Sequence, residues 1–264
     1  MIVSNNVSPV WMSLPGNHRE RLALALDKGL AAAPGGRAEV FFRADDVAVP
    51  GNAFTAMAEA FRTAGAPLGM AVVPAWLTQS RWAALRKVAD GEGLFCWVQH
   101  GWRHMNFEPQ GAKKREFGQA RPARDKRMDL SKGFRRMREI LGADFTPLFT
   151  PPWNRCDGES MEAMPGIGFK GISRTVGAGP DAPAGLPDFP VRVDLHTRKE
   201  PDPSASLDAM LGEVSEGLAS GRCGIMLHHQ RMNQASLAFL SLLLGELKAR
   251  QGVSFAHFGH LLER

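Results

Sequence analysis

Apolar and polar positions along the chain switch repeatedly between two periods. Short runs of 4–8 mostly apolar residues read as strands buried on both faces. They are AEVFFRA (38–44), PLGMAVV (67–73), LFCWV (94–98), FTPLFT (145–150), FKGIS (169–173), FPVRV (189–193) and CGIML (223–227), with VSFAHF (253–258) holding a last short strand before a terminal helix. Between them the apolar spacing becomes helical. Residues 53–65 form an amphipathic helix with Asn52 as its N-cap and Gly65 as its stop. Further helices are expected over about 79–89, part of 108–141, 207–219 and 236–249. Strands alternating with helices imply parallel strands and α/β architecture. Seven or eight such units in a chain of 264 residues predict a distorted (β/α) barrel, with a doubly wound open sheet as the second choice. The Gly- and Pro-rich stretch 176–190 reads as a long loop between two strands, because the rhythm resumes after it, so residues 1–264 are expected to form one domain.

The chemistry-bearing residues cluster at the ends of these runs. Asp45 and Asp46 follow the first, His100 and His104 the third, Pro151 to Arg155 the fourth, Asp194 ends the sixth, and His228 and His229 end the seventh. In a barrel, the C-terminal ends of all parallel strands open on one face, so residues far apart in sequence meet there. A carboxylate pair, a spaced histidine pair and a further histidine provide a metal site and acid–base groups. One carboxylate and two imidazoles suit Zn, Fe, Co or Ni and leave positions open for water. A helical His-x-x-x-His would place both rings on one face. The metalloprotease motif HExxH is excluded, because Gly101 occupies the glutamate position.

Composition narrows the picture. Hydrophobic residues make up 44% of the chain. No stretch approaches the roughly 20 apolar residues of a membrane span, and the first residues lack the pattern of a signal peptide, so a cytoplasmic location with no membrane partner is expected. Three widely spaced cysteines, Cys96, Cys156 and Cys223, are expected to be free, buried thiols. Met12 and the other methionines read as core fillers. The net charge is +5, and between Lys113 and Glu139 eleven Lys and Arg face four Asp and Glu. That basic segment is either a landing patch for an anionic partner or a solvated helix face. It lacks interleaved aromatics, so no nucleic-acid partner is expected.

Taken together, FRADD, HGWRH, TPPWN, VDLHT and IMLH, spread over about Val40 to His229, resemble the motifs of the polysaccharide deacetylases, the chitooligosaccharide deacetylase or carbohydrate esterase 4 homology group. The resemblance implies a distorted (β/α) barrel and a metal-dependent hydrolase. Such an enzyme removes an acetyl group from an N-acetylated sugar or related amide, using water activated by one divalent metal. It implies Asp46, His100 and His104 as ligands of one transition metal, zinc first, with Co, Ni, Fe or Mn as alternatives. It implies Asp45 as general base, His228 as general acid, Asp194 as its orienting partner, and the backbone N–H of Trp153 in the oxyanion hole. Trp102, Pro152, Asn154 and Arg155 are the candidate substrate-binding residues, and Trp97 is either a third sugar-stacking tryptophan or core. The substrate is then a small molecule or oligosaccharide.

Some positions depart from the family pattern. Thr150 stands where the family has an arginine that braces the catalytic aspartate, leaving Arg43 or Arg155 as replacements. Trp153 replaces Tyr, Asn154 replaces Gly and His229 replaces a frequent Asp. Two other readings stay open: hydrolysis of a different non-peptide C–N bond, in a cyclic imide or ureide, and a catalytically inactive glycan-binding relative.

Overall fold

A computed structural model describes residues 7–91 and 93–264. Eight parallel strands form one curled sheet: β1 Ala38–Val47, β2 Leu68–Val72, β3 Phe95–His100, β4 Phe145–Thr150, β5 Gly171–Ile172, β6 Val193–Asp194, β7 Arg222–Leu227 and β8 Val253–Ala256. The order is β5-β4-β3-β2-β1-β7-β6, and β8 joins β1 along Ala38–Phe41, beside the stretch where β2 pairs Arg43–Val47. Nearly every position of β1 is buried, as expected of a central strand covered on both faces. The helices are α1 Pro9–Met12, α2 His18–Ala32, α3 Asn52–Ala64, α4 Gln79–Val88, α5 Ala123–Leu141, α6 Gly158–Ile167, α7 Pro203–Ala219, α8 Gln234–Lys248 and α9 Phe258–Leu262. This is the distorted (β/α) barrel read from the sequence. Among the described residues, no helix is long and apolar enough to cross a membrane.

Several elements differ from expectation. Asn52 is the first helical residue of α3, and Gly51 is its N-cap, with no side-chain cap bond. Gly65 does end that helix, in the left-handed conformation at φ 64°. The strands expected at 169–173 and 189–193 shrink to Gly171–Ile172 and Val193–Asp194. Pro187 and Pro190 lack the N–H a ladder needs. Residues 187–191 instead bridge to the β5 region, with Phe189 N donating to Ile172 O (2.8 Å) and Val191 N to Arg174 O (2.7 Å). The 176–190 stretch is thus a loop that closes the two ends of the sheet on each other.

The sequence pattern missed α1 and α2. Helix α2 lies against α7 so closely that a Cβ on Gly29 would stand 2.6 Å from Ser215 O. Trp11 of α1 is buried, and its Nε1 donates to Leu195 O (2.7 Å) just past the end of β6. Met12 is no core filler: it is 73% exposed. The three cysteines are free and buried.

Candidate active site

The site begins with the pleat of β1. Side chains two apart on a strand share a face, so Arg43 and Asp45 both point into the barrel. Arg43 Nε donates to Asp45 Oδ1 (2.8 Å) and Nη2 to Oδ2 (2.9 Å), a bidentate pair shielded from solvent. Arg43 also donates to Ser173 O (2.8 Å) beyond β5 and to Asn154 Oδ1 (2.6 Å) beyond β4. Arg155 is not the brace, because its Nη1 donates to Lys114 O (3.3 Å) at the rim. Asp45 is therefore paired with an arginine of its own strand.

The next residue breaks the pleat. Asp46 has φ 60°, and the β1–β2 register shifts between Ala44 and Val47. Gln230 Nε2 donates to Asp46 O (2.6 Å) and fixes this peptide. Asp46 Oδ1 thereby lies 3.3 Å from His100 Nε2 and 3.1 Å from His104 Nε2. Asp46, His100 and His104 form a possible metal-binding group, with their ligand atoms all within 4.8 Å of one another. Burial pushes the Asp46 carboxyl up, but its contact with His100 and the charges of His100, His104 and His228 outweigh it and hold the group well below the usual carboxylate range.

His100 ends β3. Its Nδ1 donates to Thr150 Oγ1 (2.9 Å) and Thr150 O (3.1 Å), while Thr150 Oγ1 donates to Gln99 O (3.0 Å). The Nδ1 proton is thereby assigned, and the Nε2 lone pair faces Asp46. Thr150 orients His100.

His104 does not follow on a helix. HGWRH runs from the strand into a loop, with Gly101 at φ 59° and His104 at φ 57°. Glu116, itself buried, accepts from three consecutive backbone N–H groups: Trp102 (3.2 Å), Arg103 (2.7 Å) and His104 (3.2 Å). Burial raises the Glu116 carboxyl above its ordinary value. The His104 ring is flanked by Trp153 (centroids 4.5 Å apart) and Trp76 (5.9 Å), and burial lowers its pKa. Sequence reasoning missed Glu116, Gln230 and Trp76. Only the spacing of a lone Glu in a basic run hinted at the first.

The four non-glycine residues with positive φ among the described residues are Asp46, His104, Trp153 and Asn154. All sit at this site, where strain is sustained by surrounding contacts. Asn154 tolerates the left-handed region, and its side chain is held by Arg43, which accounts for Asn where the family has Gly.

On the other side, Asp194 ends β6 and accepts from His196 N (3.0 Å), Thr197 N (3.0 Å) and the Thr197 hydroxyl. His228 follows β7, with Nδ1 3.7 Å from Asp194 Oδ1. Burial disfavours the imidazolium, but pairing with Asp194 and the charges of Asp45 and Asp46 push His228 up to about 9. Asp194 is held low, burial being outweighed by His228 and Thr197. His196, also missed, accepts from His228 N through Nδ1 (3.1 Å) and is kept neutral by burial at about 3. His229 turns away, edge-on to Phe54 at 5.4 Å, and burial lowers it to about 4.

Of the remaining candidates, Trp102 and Arg155 are half-buried, and Pro152 is buried against Gly101. Trp97 is core, edge-on to Trp82 at 4.8 Å.

With both imidazoles neutral, the three acceptor atoms meeting at this point repel unless a cation lies between them, and Asp46 Oδ1 is buried without a hydrogen-bond partner among the described residues. The donor set, one carboxylate and two imidazoles, fits a divalent transition metal.

No family model matches the chain, and no curated protein matches it by sequence. Solved structures do. A candidate polysaccharide deacetylase from Mycobacterium smegmatis superposes with a TM-score of 0.64 at 15% identity, covering 86% of this chain and 89% of that one. The fold is that of the polysaccharide deacetylases. A family 4 acetyl xylan esterase from Clostridium thermocellum, in complex with a cobalt ion, gives 0.56 at 14% identity over 85% of this chain and 90% of that one. A family 4 pseudoenzyme from Bacillus anthracis gives 0.59 at 14% identity over 86% and 66%. An esterase and a pseudoenzyme thus share this fold.

Proposed function

We propose that this chain is a metal-dependent hydrolase that removes an acetyl group from an N-acetylated sugar or related amide. The observation that carries the reading is the convergence of Asp46 Oδ1, His100 Nε2 and His104 Nε2 between an arginine-paired Asp45 and an aspartate-paired His228. Asp46, His100 and His104 would hold one divalent metal, zinc in our proposal; the cobalt bound by the Clostridium thermocellum esterase is in keeping with a transition metal. Such an ion supplies Lewis acidity, polarising an acyl carbonyl and acidifying water.

The chain's own groups do the rest. Asp45 takes a proton from the attacking water as oxygen adds to the acyl carbon. The Trp153 N–H donates to the oxyanion that forms. His228, as imidazolium, protonates the departing nitrogen, the C–N bond breaks, and acetate and a free amine leave. Trp76, Trp102 and Trp153 offer aromatic faces to a sugar ring, and Asn154 and Arg155 offer polar contacts. Arg43 pairing with Asp45 supports the hydrolase reading over a catalytically inactive relative.

The test is metal content by inductively coupled plasma mass spectrometry, beside acetate release from N-acetylglucosamine oligomers. About one transition metal per chain, lost in Asp46→Ala and His100→Ala together with acetate release, is the expected result. A chain that neither holds nor takes up metal sinks the proposal. Metal with turnover of a cyclic imide and no acetate from any amide would move the activity to another C–N bond.

A further inference from the structure

The basic segment that stood out in the sequence is split by the fold into two unlike parts. Arg124, Arg127, Arg135 and Arg138 lie on the exposed side of α5, outside the barrel. Lys126 is buried against Asp157 and Glu159, and Arg136 donates to Pro74 O (2.9 Å). These are a solvated face and two structural cations. The residues 113–115 are different. They lie in the long loop after β3, on the same face as the Asp46–His100–His104 cluster.

Three contacts locate that loop. Glu116 grips the N–H groups of Trp102, Arg103 and His104. Arg155, next to Asn154, donates to Lys114 O. Arg103 lies over the Trp102 ring, 6.0 Å from its centroid. Two stretches of this loop, carrying Arg103 and Lys114, therefore meet the turn after β4, carrying Arg155, beside His104. Arg103 and Lys114 are exposed, Arg155 half-buried, and none of them forms an ion pair with a carboxylate among the described residues.

The acids of the loop do not neutralise them. Both oxygens of Glu116 are taken by backbone N–H groups, and Glu108 sits beside Arg115 across Gly118. Lys113 adds a further exposed positive charge. Other arginines of this face are paired: Arg43 with Asp45, Arg174 with Asp188, Arg198 with Glu200 and Glu213. Arg103, Lys114 and Arg155 thus bring two guanidinium forks and an ammonium to the His104 side of the site, where they can close on anionic oxygens.

We infer that the acylated substrate carries a phosphate or carboxylate that docks on Arg103, Lys114 and Arg155 beside His104. This rests on the hydrolase reading above and narrows its substrate class from neutral sugar amides to anionic ones.

Calorimetric titration tests it with N-acetylglucosamine, N-acetylglucosamine 6-phosphate and N-acetylmuramic acid as probes. Wild type is compared with Arg103→Gln/Lys114→Gln/Arg155→Gln and with Arg124→Gln/Arg127→Gln. At least one anionic sugar should bind wild type about tenfold more tightly than the neutral one. Its advantage should shrink between about 50 and 300 mM salt, vanish in the triple variant and survive in the helix variant. The better anion then assigns phosphate or carboxylate. Equal affinity for neutral and anionic sugars, or equal losses in both variants, overturns the inference. Acetate release in parallel separates the two proposals. Anion binding without acetate keeps the docking site and removes the hydrolase. Neutral oligomers turned over as efficiently as anionic sugars keep the hydrolase and remove the docking site.

Discussion

Arg43 and Asp45 are two apart on a pleated strand, so their side chains share a face and pair, while Ser173 and Asn154 take the remaining guanidinium donors. A lysine at position 43 keeps the charge but loses the fork that grips both carboxylate oxygens. Arg43→Lys should lower kcat by about tenfold to a hundredfold with little change in KM, as expected when a positioned base goes slack. Steady-state kinetics on folded variant measures it, and an unchanged kcat would show that Asp45 needs no brace. At the opposite side, burial is outweighed by pairing with Asp194, which pushes His228 up from the ordinary 6.5 to about 9. Its pairing with Asp194 therefore adds stability that is fully present below about 6.5 and lost as the pH rises through about 9. The alkaline limb of kcat/KM should follow the same group. Asp194→Asn removes the partner charge and should move that limb towards neutrality; a limb that stays in place would exclude His228 as the acid.

At the scale of elements, the loop after β3 shows how spacing and conformation come apart. His100 and His104 are four apart, which a helix would also exploit, yet the segment is a loop folded around the Glu116 carboxylate. The histidine pair was legible in the sequence because its chemistry is carried by residue type. The loop was not legible, because its shape depends on an anion twelve or more residues further on that satisfies three backbone donors. Gly101 is needed twice over. Its φ of 59° lies in the left-handed region, and a Cβ there would stand 2.2 Å from Glu116 Oε2 and 2.6 Å from Pro152 Cγ. Gly101→Ala should destabilise the protein by about 1–3 kcal/mol, and Glu116→Gln should weaken metal affinity by about tenfold to a hundredfold while the chain stays folded. Zinc titration beside thermal melts checks both. Wild-type affinity in Glu116→Gln would mean that the loop holds its shape without the charge.

For the whole molecule, the cluster links the end of β1 to the loop after β3, so any ion it binds holds the native arrangement together. A ligand of the folded state alone stabilises it by about 4 kcal/mol at a thousandfold excess over Kd. Added zinc should raise the melting temperature of chelator-treated protein by several degrees, and the rise should be absent in His104→Ala. No shift in wild type would argue against a resident metal. The same scale explains the site's strain. Asp46, His104 and Asn154 keep left-handed backbones because Gln230, Glu116 and Arg43, from three other segments, hold them there.

The sequence by itself determined what depends on local order. Those features are the alternation that makes parallel strands, the residue types at their C-terminal ends and the left-handed stop at Gly65. Only the tertiary structure decided which distant partners complete them. Thr150 orients His100, Glu116 shapes the loop, His196 backs His228, Trp97 goes to the core, and Pro187 and Pro190 leave β5 and β6 as two-residue strands. The physical reason is that strand pattern and side-chain type are short-range properties. A buried hydrogen bond or ion pair is fixed only when barrel closure brings segments far apart in the chain within about 3 Å.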